Sequence, residues 1–523
     1  MNALVVLFAG RLASQAGEPV FPGAKSALAL ALERSRRFPG VSKVLLLVRD
    51  GFTLPEGVGA GEVSLLSRPG WTKASLLESL AAEGAGFDLS YFAWADCPFL
   101  DPVLAGAVAG RHLRYAAEYS YADGWPWGFA PELLSPGTAG ILAKINGGDE
   151  GPVERDVLFS VLQKDINAFD IETEISAVDL RNHRLTLAAD SKRNLLLLVR
   201  WAEAAGGIPD AASAAALVEE KPGLLRTLPA FYPVQVSGSC PQACQICPYP
   251  RHGPSPVTER GDFMDAAVFS ALLDRIAAFS GDAVIDLSLW GELALHPQKA
   301  DLIGRVLSRP ELSLVVETSG VGWKRGELEA AASAAAAAAP RVNSLPPLSW
   351  IVSLDTLDEG RYRELRGPGF SDALSCARTL LSLFPADAYV QAVRTEGAED
   401  DIEKFYRSWK EESPGGTANI IIQKYDDFCG ALPKRQASDI SPVIRQPCWH
   451  LMRDFPVLID GTVPLCREEL SCLGGGGGRV LGNVFNESLE GIWSHGEAFY
   501  EEHCGKQYAG LCAGCDEYYT YNF

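Results

Sequence analysis

Three cysteines in one short segment are the residues of this sequence whose type and spacing best suit chemistry. The segment reads Ser-Gly-Ser-Cys240-Pro-Gln-Ala-Cys244-Gln-Ile-Cys247-Pro, so its spacing is C-x3-C-x2-C. A structural zinc site normally takes four protein ligands, and no fourth thiolate lies nearby in the sequence. Three thiolates suit a [4Fe–4S] cluster with one open iron, which can chelate an amine and a carboxylate. A zinc knuckle completed by a remote residue is the alternative.

The other cysteines also fall into groups along the chain. Of the 12 cysteines, Cys97 stands alone before the triplet, Cys376 and Cys429 follow it, and six lie between Cys448 and Cys515. Clustered cysteines in a large chain without a secretion signal favour metal ligation over disulfide bonds. We therefore expect a reducing, cytoplasmic compartment.

Length, composition and charge describe an ordinary globular protein of several domains. The 523 residues, of which 47% are hydrophobic and 21% charged, predict two to four domains and exclude a disordered chain. The formal charge of −20 argues against a protein whose main task is binding nucleic acid or anionic lipid, because phosphate contacts need Lys and Arg. No apolar run approaches the ~20 residues that span a bilayer. The short run Ala3–Gly10 lacks a preceding positive region and is predicted to be a buried strand.

Strands and helices alternate over the first part of the chain. Runs of strand length are Ala3–Phe8, Lys43–Val48 and Tyr91–Trp94, and Ala24–Arg37 has helical periodicity. This alternation predicts a parallel sheet flanked by helices in an α/β domain of residues 1–225.

A more regular alternation follows and positions the cysteine triplet. The predicted strands are Val234–Ser237, Ala283–Trp290, Leu312–Thr318, Ser349–Asp355, Tyr389–Arg394 and Asn419–Gln423. The helices predicted between them are Asp265–Phe279, Pro297–Leu307, Arg325–Ala339, Ser371–Leu383 and Asp401–Glu411. Six such βα units predict a partial (β/α)6 barrel over residues 226–435. Residues 436–523 are rich in Cys, Gly and aromatics, and a region this small needs a metal staple.

The triplet and the strand ends behind it resemble the radical S-adenosylmethionine (SAM) superfamily. In that family three cysteines after the first barrel strand hold a [4Fe–4S] cluster, and SAM binds the fourth iron. The later segments similar to that family are Leu289-Trp290-Gly291-Glu292, Glu317-Thr318-Ser319-Gly320, Ser353-Leu-Asp355 with Leu365-Arg366-Gly367, and Gln391 with Arg394. They follow predicted strands, where barrel enzymes carry their active sites. Two departures are Trp290 in place of a Gly and Ile246 where an aromatic residue often stands.

The resemblance implies an activity and a set of site residues. The implied reaction is reductive cleavage of SAM to methionine and a 5′-deoxyadenosyl radical, which abstracts a hydrogen atom from a substrate. The implied catalytic cluster ligands are Cys240, Cys244 and Cys247. The implied SAM-binding residues are Gly291, Glu292, Ser319, Ser353, Asp355 and Arg394, with the Gly291–Glu292 segment receiving the SAM amino group through its backbone and carboxylate.

A second resemblance covers the C-terminal cysteines. The pattern Cys448…Gly461-x4-Cys466…Leu481-Gly482-Asn483…Ile492-Trp493…Cys512-x2-Cys515 is similar to the SPASM extension behind many radical SAM barrels. It implies one auxiliary [4Fe–4S] cluster held by Cys448, Cys466, Cys512 and Cys515. Cys472 and Cys504 are either spare thiols or substitutes for one of these ligands. A structural zinc ion on the same four thiolates stays open as the alternative.

The N-terminal domain carries a weaker resemblance. Ala95-Asp96-Cys97-Pro98 follows the strand ending at Trp94 and resembles the metal-binding turn of nucleotidyltransferases, which implies Mg²⁺ at Asp96. Asp190 and the acidic run Asp170–Glu174 are candidates for a second carboxylate. The phosphate cradle of that family is reduced to Gly10, Arg11 and Gly17. Either an active transferase or a fold that has lost catalysis and recognises a substrate or partner agrees with this pattern.

Together these features predict a cytoplasmic radical SAM iron–sulfur enzyme of α/β class. It has a nucleotidyltransferase-like, Rossmann-like domain (1–225), a partial radical SAM barrel (226–435) and a SPASM-type domain (436–523), and so resembles the spiro-SPASM group. Expected partners are a peptide, protein or sugar-nucleotide-derived small-molecule substrate and an electron donor such as ferredoxin or flavodoxin, with no nucleic acid and no membrane. Two alternatives remain: a non-enzymatic, zinc-stapled binding scaffold, and a Mg-dependent nucleotidyltransferase carried by the N-terminal domain.

Overall fold

The computed structural model describes residues 1–249, 263–412, 419–473 and 478–520, apart from residues 21, 22, 24, 56, 57, 60, 62 and 439. The chain divides into two units, Met1–Thr227 and Leu228–Phe523. Each unit is built around its own sheet.

The first unit is a mixed sheet of seven strands in the described residues. They are β1 Ala3–Ala9, β2 Val41–Arg49, β3 Ser64–Arg68, β4 Leu89–Trp94, β5 Tyr119–Asp123, β6 Glu132–Leu134 and β7 Ile171–Ile175, in the order β3-β2-β1-β4-β6-β5-β7. All seven residues of β1 are buried, as expected of a strand covered on both faces.

One strand departs from the predicted parallel arrangement. Strand β6 is antiparallel to both β4 and β5, while the remaining pairs of this sheet are parallel. The connection from β5 to β6 is short, and a short connection permits an antiparallel return but not a parallel crossover.

Helices cover the strands of the first unit. They are α1 Ala27–Ser35, α2 Lys73–Gly84, α3 Pro102–Arg114, α4 Thr138–Asn146, α5 Val157–Leu162, α6 Lys192–Ala205 and α7 Ala211–Glu220. Several begin where a polar side chain caps the first turn: Ser26 accepts from Ala29 N in α1, and Asp101 accepts from Val103 N in α3. Asp101, which follows the Asp96 turn, is therefore a helix cap.

The second unit is an open, parallel partial barrel. Its strands are β8 Phe231–Pro233, β9 Ala283–Asp286, β10 Leu312–Thr318, β11 Leu348–Ser353, β12 Ala388–Arg394 and β13 Ile420–Lys424. Each pairs in parallel with the next along the chain. The helices of this barrel are α8 Ala266–Ser280, α9 Lys299–Leu307, α10 Arg325–Ala337, α11 Glu359–Leu365, α12 Phe370–Leu383 and α13 Glu399–Glu412.

The two faces of the barrel strands have different neighbours because side chains alternate along a strand. On β10, Leu314 and Val316 belong to the large apolar core that contains the helices, whereas Val315 packs with Val284 and Ile351 in a second, smaller cluster. The inner face therefore turns polar at Glu317, two residues after Val315 and at the carboxyl end of the strand.

The first barrel strand lies earlier than predicted. Val234–Ser237 is extended, but the chain changes partners there: Val234 N still donates to Asp286 O (2.7 Å), and Gln235 N donates to Val457 O (2.9 Å). The regular ladder therefore ends at Pro233, because the next residues pair with the C-terminal part of the chain.

The C-terminal part shares the barrel's apolar core. Its described elements are α14 Trp449–Arg453, β14 Thr462–Pro464, β15 Val480–Asn483, α15 Leu489–His495 and α16 Glu497–Cys504, and the two strands form an antiparallel hairpin. Phe455 packs against Tyr232 (5.3 Å between ring centroids) and Trp493 (6.1 Å). Among the described helices, none combines the length and the apolar character that crossing a bilayer demands.

Candidate active site

The cysteine triplet lies in the loop beyond β8, at the carboxyl edge of the barrel. Cys244 is buried, and Cys240 and Cys247 are partly buried. The charges of Cys244 and Cys247 raise the pKa of Cys240, and the charge of Cys244 raises the pKa of Cys247, so the three thiols are neighbours. The structure thus brings the three predicted cluster ligands together.

The C-terminal end of α11 holds this cysteine loop in place. On either side of Cys244, Gln245 N donates to Leu365 O (2.7 Å) and Gln242 Nε2 donates to Tyr362 Oη (2.7 Å). The loop is therefore anchored by hydrogen bonds in a segment that has little regular secondary structure of its own.

A buried arginine stands beside the middle cysteine. Arg366 Nη1 lies 3.8 Å from Cys244 Sγ, and Arg366 Nε donates to Asp355 Oδ2 (2.6 Å). Burial lowers the pKa of Arg366, but the charges of Asp355 and Cys244 outweigh burial and leave a net rise. The guanidinium therefore stays charged and places a positive charge beside the Cys244 sulfur.

The outer two thiols do not ionise readily by themselves. Burial raises the pKa of Cys240 and of Cys247 to about 12, and the neighbouring thiolates add to the rise. Metal ligation needs thiolates, and bound metal supplies the positive charge that offsets their burial. Three neighbouring thiols, one of them beside an arginine, thus fit an iron–sulfur cluster.

The segment after β9 packs directly on the cysteine loop. Glu292 N donates to Ser239 O (2.8 Å). Gly291 has φ +146°, and a Cβ there would lie 2.0 Å from the carbonyl oxygen of Ser237. Glycine is thus required at 291 by both conformation and space.

The Glu292 carboxylate joins the ends of β9 and β10. It accepts hydrogen bonds from Thr318 Oγ1 (2.7 Å), Ser319 N (2.8 Å), Ser319 Oγ (2.7 Å) and Ala294 N (3.2 Å). Burial raises the pKa of Glu292, although these hydrogen bonds lower it. Because four donors match the acceptor capacity of a carboxylate, Glu292 and Ser319 act here by fixing the two strand ends.

A second polar network includes Ser353 and a residue that the sequence analysis did not select. Glu317 Oε1 accepts from Ser353 Oγ (2.7 Å) and from Gln391 Nε2 (2.7 Å). Glu317 lies on the inner face of β10, two residues after Val315. Because side chains alternate along a strand, this spacing is the signal that places Glu317 on the same face as Val315.

The last two predicted SAM-binding residues have different surroundings. Asp355 is buried with φ +65°, and its carboxylate accepts from Arg366 and from Val393 N (2.8 Å). Arg394 is exposed at the end of β12. Within the described residues, the Glu317 network does not include Arg394.

An aromatic series connects the cysteine loop to the loop after β13. The Trp290 ring lies 6.0 Å from that of Tyr249 and 5.5 Å from that of Phe428. Trp290 has φ +47°, a conformation that glycine adopts more easily. This explains why the family pattern has glycine there, and the ring contacts hold the tryptophan in place.

The C-terminal cysteines form a second group. The charges of Cys512 and Cys515 affect Cys448, and those of Cys448 and Cys515 affect Cys466. The structure therefore brings together the four residues predicted for the auxiliary site.

A fifth cysteine, which the sequence analysis left unassigned, joins this second group. The thiol of Cys429 hydrogen-bonds Cys515 and lies near Cys466. That hydrogen bond lowers the pKa of Cys515 to about 7 and raises the pKa of Cys429. Cys429 and the preceding Phe428 both have positive φ, of 54° and 50°. No local motif surrounds Cys429, so only its residue type pointed to it.

The Asp96 turn of the first unit does not fit a magnesium ion. Asp96 is 1% exposed, and both of its carboxylate oxygens accept hydrogen bonds from Arg155 (2.9 and 2.7 Å). The same guanidinium binds Asp190 (2.9 Å), whereas Glu172 binds Arg111 (2.8 Å). Asp96 and Asp190 are brought together as predicted, but around an arginine.

Comparison with known sequences identifies the C-terminal part. The model of the SPASM family, described as an iron–sulfur cluster-binding domain, matches residues 448–516. A Treponema pallidum (strain Nichols) protein described as uncharacterized is 36% identical over 375 residues, 70% of this chain and 98% of that protein. The two chains therefore belong to one family. A second T. pallidum protein is 43% identical over 51 residues, 10% of this chain and 23% of its own.

Solved structures share parts of the fold at low identity. Streptococcus suis SuiB bound to precursor peptide SuiA has a TM-score of 0.40 and 13% identity, and the match covers 65% of this chain and 78% of SuiB. A cytidylyltransferase from Leptospira borgpetersenii has a TM-score of 0.35 and 15% identity, covering 43% of this chain and 95% of that one.

The SPASM match begins at Cys448 and contains Cys466, Cys512 and Cys515, which confirms the resemblance of this segment. Ahead of it, the cysteine triplet lies at the carboxyl edge of a parallel partial barrel. Behind a parallel partial barrel whose carboxyl edge carries the cysteine triplet, the chain thus has a SPASM iron–sulfur cluster-binding domain, and it belongs to one family with the T. pallidum protein.

Proposed function

We propose that this chain is a radical SAM enzyme in which Cys240, Cys244 and Cys247 hold a [4Fe–4S] cluster. The observation that carries the proposal is the anchored cysteine loop, which packs against Gly291 and Glu292 on one side and has Arg366 beside Cys244 on the other. Held by these three thiolates, the cluster would supply the electron for reductive cleavage of SAM to methionine and a 5′-deoxyadenosyl radical, and so would provide hydrogen-atom abstraction from the substrate.

The surrounding side chains prepare the loop for this role. Arg366 places a positive charge beside the Cys244 sulfur, and Asp355 holds Arg366 in position. Gly291 permits the close approach of two backbone segments at the edge of the barrel, where SAM and substrate would meet. Ile246 of the cysteine loop lines a small, partly open cleft together with Asp355 and Val393.

The substrate is proposed to be a peptide, a protein or a sugar-nucleotide-derived small molecule. The inner face of the barrel ends in the polar group Glu317, Ser353 and Gln391, which offers hydrogen bonds to such substrates. The electron is proposed to come from a ferredoxin or flavodoxin.

The SPASM part is proposed to hold one auxiliary [4Fe–4S] cluster on Cys448, Cys466, Cys512 and Cys515, with Cys429 as an adjacent fifth thiol. Four thiolates would complete the coordination of all four irons, which favours electron transfer or structural support over direct substrate binding. Structural zinc on the same thiolates remains the competing proposal.

Metal analysis combined with a cleavage assay tests both proposals. The protein is purified without oxygen, analysed for iron, sulfide and zinc, and then incubated with dithionite and SAM. We expect about eight irons per chain and formation of 5′-deoxyadenosine. About four irons together with zinc would support the proposed radical SAM enzyme and would show that the SPASM site holds structural zinc. Zinc alone, without cleavage after cluster reconstitution, would overturn the enzyme and favour a binding scaffold.

A further inference from the structure

The Asp96 turn lies at the position in the first sheet where α/β proteins bind ligands. From β1 the chain proceeds to β2 and β3 on one side and then returns to place β4 on the other side of β1. The crossover direction reverses between β1 and β4, and ligands bind outside the carboxyl ends of strands at such a point. Asp96 follows β4 by two residues and is almost completely buried.

The Arg155 guanidinium fills this position. Its two terminal nitrogens bind both oxygens of Asp96, and one of them also binds Asp190. The guanidinium carbon lies 4.3 Å from the ring centroid of Trp94 and 4.6 Å from that of Trp127. Arg155 is thus bound by two carboxylates and two aromatic rings, which is how a protein holds a permanent cation.

The hydrogen bonds of Arg155 oppose metal-dependent binding of a polyphosphate at this turn. Both oxygens of Asp96 and one oxygen of Asp190 already bind the Arg155 guanidinium, so neither those oxygens nor that positive charge is available to the ligand. A divalent cation at Asp96 would have to displace Arg155, whose guanidinium does not lose its proton in proteins.

The loop after β1, expected to cradle phosphate, is also occupied. Arg11, its basic residue, lies 3.6 Å from Glu154. A Cβ at Gly10 would lie 2.5 Å from the Trp71 ring, and Trp71 also packs edge-on against Phe8 (6.0 Å). An indole therefore lies where a phosphate would need open backbone.

We infer that Arg155 stands in the place of a divalent cation, so that the first unit binds no metal at Asp96 and carries out no metal-dependent nucleotidyl transfer. This inference does not depend on the proposed radical chemistry, because every residue that carries it lies in the first unit.

Manganese binding to the full-length protein tests the inference. Free Mn²⁺ is measured by its EPR signal for the wild type, Asp96→Asn, Arg155→Met and Arg155→Met with Asp96→Asn. The wild type and Asp96→Asn should bind the same number of ions. Arg155→Met should gain one site per chain, because it removes the guanidinium that binds Asp96 and Asp190 together, and the double variant should lose that gain. Arg114→Met, an exposed arginine stacked on Tyr115, controls for the loss of one positive charge.

Two results would overturn the inference. One is a wild-type Mn²⁺ site that Asp96→Asn removes, a comparison that does not depend on how Arg155→Met folds. The other is an Arg155→Met protein with an unchanged circular dichroism spectrum that gains no site, since its carboxylates would then not be arranged for a cation.

Discussion

The cysteine loop of the second unit and the Asp96 turn of the first are built from similar parts and differ in the partner that an arginine takes. Both follow parallel strands, and each pairs an arginine with a buried aspartate: Arg366 with Asp355 (2.6 Å) and Arg155 with Asp96 (2.7 Å). Arg366 is bound at 2.6 Å to Asp355, outside the cysteine triplet, and lies at the longer distance of 3.8 Å from the Cys244 thiol. Arg155 is bound to the expected ligand itself.

This difference teaches how to interpret a metal-ligand motif. A motif shows that side chains of the right type are present at the right edge of a sheet. Whether these side chains can bind a metal ion then depends on the nearest charged side chain. A cation bound mainly outside the ligand set leaves the ligands available to the metal, whereas a cation bound to the ligands themselves does not.

Loss of the middle cysteine should have the largest effect. Cys244→Ala removes one of three cluster ligands from a loop whose hydrogen bonds use neighbouring residues, so the fold should persist while SAM cleavage is abolished. Iron should fall from about eight to about four per chain. Liquid chromatography of 5′-deoxyadenosine and iron analysis measure both. Cys504→Ala, a partly buried cysteine outside both groups, is the matched control, and retained nucleoside formation in Cys244→Ala would defeat the assignment.

Removal of each arginine should have the next largest effect and compares the two regions directly. Arg366→Met strands the buried carboxylate of Asp355, and Arg155→Met strands that of Asp96, so each should lose about 3–5 kcal/mol of stability. Mn²⁺ should restore the stability of Arg155→Met, where the ion can replace the guanidinium that bound Asp96 and Asp190, and should leave the stability of Arg366→Met unchanged. Urea unfolding with and without Mn²⁺ measures the difference.

Rescue of both variants by Mn²⁺, or of neither, would remove the distinction between the two regions. Arg114→Met again serves as the control, because this exposed side chain leaves no buried carboxylate behind when it is lost.

Substitution of two glycines should have a smaller effect, of opposite sign at the two positions. Gly291→Ala places a Cβ 2.0 Å from the Ser237 carbonyl oxygen at a positive φ, and we expect a loss of roughly 1–3 kcal/mol together with weaker SAM cleavage. Gly304→Ala lies inside α9 with open space around its Cβ, and it should gain roughly 0.5–1 kcal/mol. Thermal unfolding of the two variants side by side measures the contrast, and equal shifts would show that the packing of the Gly291 segment is not tight.

Local patterns predicted the parts of this fold that depend on local sequence. Strand β10 has the predicted bounds Leu312–Thr318, because its apolar run ends at polar residues on both sides. The predicted bounds of the first barrel strand were wrong, because the backbone partner of Gln235 is Val457, far along the chain. Arg155 and Asp96 are likewise 59 residues apart, and no spacing rule connects them. The types of ligand residue can thus be predicted from the sequence. Whether those residues are available to a metal ion depends on contacts that form only in the folded chain.

The smallest expected effect concerns the fifth thiol of the SPASM group. Cys429→Ser should leave the iron content near that of the wild type, because Cys448, Cys466, Cys512 and Cys515 remain. It should still change the EPR spectrum of the reduced auxiliary cluster, since the Cys429 thiol hydrogen-bonds Cys515, and hydrogen bonds to ligand sulfur tune such clusters. Cys472→Ser, a buried cysteine beside Arg479 O, should leave the spectrum unchanged. A loss of about four irons in Cys429→Ser would instead show that Cys429 is a cluster ligand and that one of the four assigned cysteines is not.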